Sequence, residues 1–460
     1  MLTGRDPIRW PGFHPLGALP EMQKNPLKVL MRARFELGEV VDLRLPHAQV
    51  LVAASPTFAE QVLLTQSPRF TKDTRGYDQL RRVLGNGLLT SQGSFWLRQR
   101  RLAQPAFHRE RMQGWGEVMV RATREMVDSW QPRMTAGTPF DALKEMMKVT
   151  MRIVGETLLS TDVTREADTV SHALSHGLEV VQYRLTHPFS PPDWVPTKAN
   201  REFAAASHAL NEIMFEIIAE RRKGSSKDDL LSMLMNAVDL DTNERMTDEQ
   251  LRDELMTIFL AGHETTAVMM GWAVYLLSKH PEVERRMRAE LTAVLGTREV
   301  TTDDVPKLPY LGRVIKEVLR LYPPAWILGR RVTEDTVIDG WKLPKRAILM
   351  MSSYVLHRLP QTFTNPEGFD PDRWLDEEKL PRGAYIPFSI GARKCIGDSF
   401  ALLEASLILA AMLPRVQLSL LPGQADIEPE PMITIRPRGG VQMVARPAGS
   451  IEKISDEVRA

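Results

Sequence analysis

The stretch from Thr247 to Pro281 constrains the fold most, because its pattern predicts one uninterrupted helix. Thr247 and Gln250 have the spacing of a capping box, and Pro281 closes the apolar pattern at the other end. If residues 248–279 all belong to this helix, its length is about 48 Å at ~1.5 Å per residue. A helix of that length crosses a whole domain, so the other elements must pack around it.

The middle of this predicted helix contains residues that suit a buried helix poorly. Gly262, Glu264, Thr265 and Thr266 supply a glycine, a carboxylate and two β-branched hydroxyl side chains. Residues that disfavour a buried helix, when they occur inside one, often mark a functional site. A zinc-protease H-E-x-x-H motif is excluded, because Ala267 stands where the second histidine is needed. A helix kink with a back-bonded threonine remains the alternative.

The rest of the chain is predicted to be mostly helical with small β-sheets. Short β-type runs occupy 35–54, 331–356 and 415–446, and a proline-rich loop is expected at 186–198. The predicted helices are 56–66, 95–106, 117–131, 141–160, 201–223, 228–238, a helix from Pro281, 309–321 and about 396–413. No repeat or composition break separates domains, so we predict one mainly α domain over residues 1–460.

Composition excludes several function classes. Lys and Arg total 59 against 58 Asp and Glu, and this balance gives no basic field for binding nucleic acid or an anionic membrane. No run of roughly 20 apolar residues is present, so we expect a soluble cytoplasmic protein without an integral membrane segment. One cysteine excludes an internal disulfide and a multi-cysteine zinc or iron–sulfur site.

Cys395 is that one cysteine, and it stands directly before a predicted helix. The positive helix end and the neighbouring Arg393 and Lys394 should favour its thiolate form. An inert buried thiol is the commoner case for a single cysteine. Such a thiol does not need Gly391, Arg393 and Gly397 at fixed offsets, so this loop points to a functional role.

Residues 388–397 resemble the haem-binding signature F-x-x-G-x-R-x-C-x-G of the cytochrome P-450 family. The family's fixed positions are occupied by Phe388, Gly391, Arg393, Cys395 and Gly397. The resemblance implies the cytochrome P-450 fold, with haem b (iron protoporphyrin IX) between the long central helix and the helix that follows the cysteine. It also implies that Cys395 is the thiolate ligand of the iron and Arg393 a partner of a haem propionate, while both glycines let the backbone approach the macrocycle.

The sequence AGHETT at 261–266 resembles the family's oxygen-activation motif on the central helix. The resemblance implies that Glu264 and Thr265 relay protons to bound dioxygen, and that Ala261 leaves room over the haem. Cleavage of the O–O bond needs protons inside an apolar cavity, so an adjacent carboxylate and hydroxyl suit that task.

Glu317 and Arg320 match the family's E-x-x-R pair, and Arg373 matches the following F-x-P-x-R position. Alone, such a pair one helical turn apart is worth only ~0.2–0.5 kcal/mol. The resemblance implies a buried network of these three residues behind the haem, with a structural role. Trp374 stands where the family more often has phenylalanine.

Further haem contacts are implied at Trp96 and Arg100, which match the family's W-x-x-x-R helix. Arg330 lies where another propionate arginine is usual, although the adjacent Arg331 is the alternative. Arginine suits this role because its planar fork binds a carboxylate through two donors.

The substrate pocket implied by the fold is almost entirely apolar, which favours a lipophilic substrate such as a fatty acid or a terpenoid-like molecule. Its expected walls come from a loop before Trp96, the central helix, the segment after Pro324 and a turn near the C-terminus. They are Tyr77, Leu80, Val83, Leu84, Leu88, Leu89, Ile258, Ala325, Trp326, Ile327, Leu328 and Met432. The alternative for each residue is an ordinary place in the core.

The resemblance implies a haem-thiolate monooxygenase that inserts one atom of dioxygen into its substrate by hydroxylation or epoxidation. We expect no fused reductase in 460 residues, so a separate ferredoxin or flavodoxin with its reductase would supply electrons. A basic docking face for this partner is predicted at Arg98, Arg100, Arg101, Arg109, Arg111 and Lys394, and the alternative is an ordinary solvated charged surface.

Two other function classes remain. One is a haem-thiolate sensor, and the other is a cysteine hydrolase needing a histidine near Cys395, His357 being nearest in sequence.

Overall fold

The computed structural model describes residues 3–448 apart from His47, 161–166, Pro188, 225–228 and Leu240. The α-helices of this part of the chain are α1 (Leu19–Lys24), α2 (Pro26–Arg32), α3 (Pro56–Glu60), α4 (Arg75–Leu84), α5 (Gly93–Ala103), α6 (Arg109–Ser129), α7 (Gln131–Ala136), α8 (Ala142–Leu158), α9 (Ala167–Thr186), α10 (Lys198–Lys223), α11 (Leu230–Asn236), α12 (Asp248–Lys279), α13 (Pro281–Leu295), α14 (Pro309–Leu321), α15 (Ser353–Leu356) and α16 (Asp398–Met412). None of these helices combines the length and the apolar character needed to cross a membrane.

The strands are short and form small sheets around the helices. They are β1 (Ile8–Arg9), β2 (Val40–Asp42), β3 (Val50–Ala53), β4 (Phe70–Thr71), β5 (Phe140–Asp141), β6 (Leu328–Val332), β7 (Thr336–Ile338), β8 (Trp341–Leu343), β9 (Ile348–Met351), β10 (Val416–Leu420), β11 (Pro429–Pro431), β12 (Ile435–Pro437) and β13 (Gln442–Pro447). The largest sheet has the order β1-β2-β3-β9-β6-β4, and a second has the order β10-β13-β5. The remaining sheets are the pairs β7–β8 and β11–β12.

Helix α12 is the 32-residue helix that the sequence predicted. Both capping-box bonds are present: the Gln250 N–H donates to Thr247 Oγ1 at 3.3 Å, and the Thr247 N–H donates to Gln250 Oε1 at 3.1 Å. Most of α12 is buried, and α8, α10, α14 and α16 pack against it. The mainly α fold class with small sheets is therefore confirmed.

The buried apolar residues form two clusters. The larger cluster surrounds α12 and contains the helical core, and the smaller one covers the six-stranded sheet with α2, α3 and the turn 61–65. The predicted hairpin within 35–54 is the antiparallel pair β2–β3, and Asp339-Gly340 turns the chain between β7 and β8.

Several of the described helices were not predicted, among them the short α1, α2, α7 and α15 and the longer α4 and α9. Helix α4 covers Arg75–Leu84, where we expected a loop, although Tyr77, Leu80 and Leu84 have helical spacing. Helix α9 (Ala167–Thr186) was also missed. The predicted helix 56–66 is divided, because α3 ends at Glu60 and a π-helical turn continues from Gln61 to Thr65.

Candidate active site

The loop before α16 presents Cys395 in a fixed conformation. The Cys395 N–H donates to the Phe388 carbonyl oxygen at 2.9 Å. Gly391 has a φ of 75°, and a Cβ atom there would lie 2.1 Å from the Leu63 carbonyl oxygen. Glycine is therefore required at 391 by a neighbouring protein backbone, whereas we had expected it to make room for a cofactor. A Cβ at Gly397 would meet no atom closer than 3.8 Å, so space is open there.

The Cys395 sulfur faces open space although protein surrounds it. The residue is exposed, yet burial raises the pKa of its thiol. The Gly397 N–H, Arg100 and Lys394 lower this pKa, but burial outweighs them. The helix end and Lys394 thus favour the thiolate as expected, but burial favours the neutral thiol more strongly, so binding to a metal cation would have to displace the proton.

One turn of helix α12 borders an open space inside the protein. Ala261 is exposed and Thr265 is partly exposed, whereas Ile258 and Thr266 are buried. The Thr265 hydroxyl donates to the Ala261 carbonyl oxygen at 2.5 Å, which is the back-bonded arrangement that we considered as the alternative. Thr265 nevertheless combines this bond with access to the open space.

Glu264 points elsewhere than its neighbour Thr265. Its carboxylate Oε1 accepts hydrogen bonds from Thr434 Oγ1 at 2.5 Å and from Arg436 Nη2 at 2.8 Å. Thr434 and Arg436 belong to the turn and strand β12 near the C-terminus. The Glu264 side chain is 4% exposed and that of Arg436 is 21% exposed, so this ion pair connects the centre of α12 with the protein surface.

Four cationic side chains, which we call the cation cluster, lie together near Cys395: Lys72, Arg100, Arg330 and Arg393. Burial and the three arginines hold the pKa of Lys72 well below its usual range, and burial lowers the pKa of Arg393 to about 10. Among the described residues, none of the four has a carboxylate within ion-pair distance. Buried like charges without a counter-charge are unfavourable, so this cluster fits an anionic ligand.

Main-chain carbonyls and one aromatic ring orient the cation cluster. Arg393 donates to the Ser91 carbonyl oxygen at 2.9 Å, and its guanidinium lies 3.7 Å over the Trp96 ring. Arg100 donates to the Lys394 carbonyl oxygen at 2.9 Å.

Lys72 and Arg330 complete the cation cluster from the side of the six-stranded sheet. Lys72 Nζ donates to the Leu89 carbonyl oxygen at 2.8 Å, and Arg330 donates to the Gly329 carbonyl oxygen at 2.8 Å. Arg331 lies outside the cluster and pairs with Asp73. Sequence reasoning missed Lys72, because no motif marks a lysine directly after β4.

Cys395 and the cation cluster together fit a haem. The thiol would bind the iron, and four cations without counter-charges suit two propionate groups. The opening at Ala261 and Thr265 is on the central helix, where the sequence analysis expects the oxygen site.

A separate group of buried charges surrounds Glu317, and we call it the Glu317 network. Both carboxylate oxygens accept from Arg320 at 2.8 Å, and Oε1 also accepts from Arg373 Nε at 2.9 Å. The Trp374 indole N–H donates to Glu317 Oε2 at 3.0 Å, so the tryptophan adds a donor that phenylalanine lacks. Glu317 and Arg320 are both fully buried.

His357 cannot activate Cys395, because both of its ring nitrogens already bond to main chain. Nδ1 lies 3.2 Å from the Arg320 carbonyl oxygen, and Nε2 accepts from the Ile386 N–H at 2.9 Å. Burial lowers the pKa of His357 to about 3. The cysteine-hydrolase alternative therefore lacks the histidine that was proposed for it.

The predicted pocket residues lie on several elements, and only some remain accessible. Tyr77, Leu80, Val83 and Leu84 lie on α4 and not in a loop, which corrects our expectation. Leu80, Leu89, Ile327, Leu328 and Met432 are partly exposed and Ala325 is exposed, whereas Tyr77, Val83, Leu84, Leu88, Ile258 and Trp326 are buried. The Trp326 indole N–H donates to the Met432 carbonyl oxygen at 2.9 Å, which joins two of the expected walls.

The predicted docking face is largely engaged in ion pairs. Arg98 pairs with Glu244 at 3.3 Å, and Arg101 pairs with Asp239 and Asp241 at 2.8 and 2.5 Å. Arg109 has a side chain outside the described part of the structure. A recess of about 250 Å³ lies beside Cys395 on this side, and it is lined by Arg100, Gln104, Phe107, His108, Lys394, Ile396, Asp398 and Ser399.

Comparison with known proteins identifies relatives over almost the full chain. Residues 5–443 match the family described as Cytochrome P450. The chain is 38% identical over 445 residues to cyclooctatin synthase of Streptomyces melanosporofaciens, covering 95% of each protein. It is 36% identical to cyclooctat-9-en-7-ol 5-monooxygenase of the same organism, covering 90% of each. It is 35% identical to pentalenene oxygenase of Streptomyces avermitilis, over 92% of this chain and 94% of the relative.

Proposed function

The chain belongs to the cytochrome P450 family and is a P450 monooxygenase, and from this premise we propose that it oxidises a lipophilic, terpenoid-like molecule. The three relatives described above are named for cyclooctatin, cyclooctat-9-en-7-ol and pentalenene, which supports a terpenoid class. The apolar character of the expected pocket walls supports the same class. Hydroxylation and epoxidation are both consistent with these walls.

We propose that the cofactor is haem b, with Cys395 as the iron ligand. The observation that carries this proposal is the cation cluster, which has no carboxylate partner in the part of the chain that the structure describes and lies beside the chain's one thiol. The two propionates would be bound by the cation cluster. The Trp96 ring lies against the Arg393 guanidinium and would hold it in place. Haem bound through a thiolate activates dioxygen on reduction, and electron donation from sulfur favours O–O cleavage.

Thr265 would hold and orient a proton at the oxygen site. Its hydroxyl hydrogen is directed at the Ala261 carbonyl oxygen, so its oxygen lone pairs remain able to accept a hydrogen bond from the open space. Ala261 presents only a methyl group there, which leaves room for a small ligand.

Glu264 would supply protons from the surface. Its carboxylate is buried, but its partner Arg436 is partly exposed, so opening of this ion pair would connect the carboxylate with water at the surface. To reach Thr265, the side chain has to leave Arg436 and Thr434 and rotate about α12. Delivery is therefore proposed to be gated by the opening of this ion pair.

Electrons would come from a separate ferredoxin or flavodoxin. The recess beside Cys395 supports docking on that side, because Arg100 contributes positive charge to it, whereas Lys394 pairs with Asp398 in the same lining. The paired state of Arg98 and Arg101 makes these two arginines weaker contributors than the sequence suggested. The single-domain organisation of residues 1–460 and the cytoplasmic location remain predictions.

The test combines a cofactor measurement with a substrate screen. The purified enzyme is reduced under carbon monoxide, and the thiolate-type spectrum should be present in the wild type and absent in Cys395→Ser. A panel of cyclic terpenes is then screened by haem spectral shift, and products are identified by mass spectrometry with an added ferredoxin and reductase. A wild-type spectrum of the histidine type would overturn the proposal. A substrate-free haem with a protein side chain as sixth ligand would favour the sensor alternative.

A further inference from the structure

The segment 85–91 between α4 and α5, which we call the substrate loop, lies against helix α12. The Asn86 N–H donates to Asp253 Oδ2 at 2.6 Å, and the Leu88 N–H donates to Glu254 Oε2 at 3.0 Å. Gly85 has a φ of 68°, and a Cβ atom there would lie 2.0 Å from the Asp253 carboxylate. The loop backbone is therefore fitted closely to two consecutive acidic residues of α12.

The opposite side of the substrate loop is held by the cation cluster. Lys72 donates to the Leu89 carbonyl oxygen at 2.8 Å, and Arg393 donates to the Ser91 carbonyl oxygen at 2.9 Å. The same loop carries Leu88 and Leu89, which we expect to contact the substrate. Its position is thus set between the acids of α12 and the cations proposed to bind the haem.

Glu254 is fully buried, and no cation pairs with it among the described residues. Its other oxygen accepts from Gln99 Nε2 on α5 at 3.2 Å, and a glutamine amide can serve either protonation state because it offers both a donor and an acceptor. Of the residues that the structure describes, Asp253 is the charged group that acts on Glu254, and it pairs with Arg252 at 2.9 Å. Burial raises the pKa of Glu254 to about 7.

We propose that Glu254 is a positioning residue for the substrate, because its carboxyl group fixes the substrate loop against α12, and because its burial there favours the closed loop most when the carboxyl group is protonated. The proposal rests on the proposed function, since it requires that Leu88 and Leu89 line the substrate site. An exposed glutamate has a pKa near ~4.3, so opening the loop to water would release the proton. Rising pH through neutrality therefore favours the open loop, and the open-to-closed ratio should rise about tenfold from pH 6 to pH 8.

Hydrogen exchange of the haem-loaded enzyme measures this opening directly. The protection factor of the Leu88 amide, corrected for the intrinsic exchange rate at each pH, should fall about tenfold from pH 6 to pH 8 in the wild type. In Glu254→Gln, which remains neutral and keeps both hydrogen-bonding partners, protection should not change with pH and should be at least as high as that of the wild type at pH 6. In Glu254→Ala, protection should be low at every pH.

A matched control and a second probe exclude a general loss of structure. Glu145→Gln removes another buried carboxyl group, on α8, and should keep the wild-type pH dependence at Leu88. Carbon monoxide rebinding after photolysis should become faster with pH in the wild type and should be independent of pH in Glu254→Gln.

Two outcomes would overturn the proposal. One is wild-type protection that does not change between pH 6 and pH 8. The other is a pH dependence that persists in Glu254→Gln, which would assign the titration to Asp253 or Lys72 on either side of the loop. The thiolate-type carbon monoxide spectrum is recorded on the same samples. Its absence would refute the proposed function without affecting the exchange measurement at Leu88.

Discussion

The Glu317 network and the cation cluster both place several charged groups inside the protein, but they differ in how those charges are balanced. Glu317 receives donors from Arg320, Arg373 and Trp374, and both of its oxygens are fully used. Among the described residues, Lys72 and Arg393 have only carbonyl oxygens as acceptors, and Arg393 helps to lower the pKa of Lys72. The first arrangement is complete in the protein alone, whereas the second needs an added anion. Charge balance thus separates a structural network from a binding site.

Removing the central acid of the complete network should have the largest effect. Glu317→Gln leaves Arg320 and Arg373 buried without a counter-charge, and the free energy of unfolding should fall by about 3–5 kcal/mol with loss of haem. Urea unfolding and soluble yield measure this. Glu377→Gln, which breaks an exposed pair with Lys316, should cost only ~0–1 kcal/mol. An equal loss of unfolding free energy in the two variants would show that the Glu317 network is no more important for stability than an exposed ion pair.

Glu264 lies between the two cases, because its ion pair with Arg436 is satisfied but has to open during turnover. Glu264→Gln should lower product formation about 100-fold, since the proton carrier is lost. The carbon monoxide spectrum and substrate-induced spectral shift should be retained. Product rate and peroxide release are measured together, and Glu282→Gln on α13 is a surface control. An unchanged product rate would show that protons follow another route.

His357 extends the Glu317 network and makes its stability depend on pH. Burial lowers its pKa to about 3 from an ordinary ~6.5, so the unfolded chain binds a proton that the folded protein excludes. The free energy of unfolding should therefore fall as pH drops below ~6.5, by up to ~1.4 kcal/mol per pH unit. Denaturant titrations give the free energy of unfolding at pH 6 and at pH 4, and the difference between these two values should be smaller in His357→Gln than in the wild type. An equal difference in both proteins would assign the effect to other groups such as His263.

The smallest effect on stability is expected for a substitution in the cation cluster, and this substitution should stabilise the haem-free protein, whereas Glu317→Gln should destabilise the enzyme. Lys72→Met removes one of the unbalanced charges, so the haem-free protein should gain ~1 kcal/mol of stability. Haem transfer to an acceptor protein should become faster, because a propionate partner is lost. Arg331→Met is the control, since Arg331 pairs with Asp73 outside the cluster. Destabilisation of the haem-free protein by Lys72→Met would place this lysine with the structural residues.

Features carried by short spacings could be predicted from the sequence. The capping box of α12 lies within four residues, and both of its hydrogen bonds are present as expected, whereas the haem-binding role read from the cysteine loop stays a prediction. The meeting of Glu317 with Arg373 needed the family resemblance, because 56 residues separate them.

What the sequence did not predict depends on distant groups. Lys72 joins the cation cluster through the charges of Arg330 and Arg393, which are hundreds of positions away, and Arg436 reaches Glu264 from β12. The protonated state of the Cys395 thiol depends on burial, which the charges written beside it do not reveal. Helix α4 was missed because we assigned its apolar residues to a pocket wall before considering their helical spacing.

The contact between Gly391 and Leu63 has a consequence for altering this enzyme. Leu63 belongs to the core cluster of the six-stranded sheet, so the position of the loop that carries Cys395 is fixed by packing against that side of the molecule. The exchangeable walls on α4, on the substrate loop and between β11 and β12 are different elements. Side chains of these walls can therefore be varied to admit new molecules while the sulfur keeps its position, as long as the bond from Arg393 to the Ser91 carbonyl oxygen is preserved.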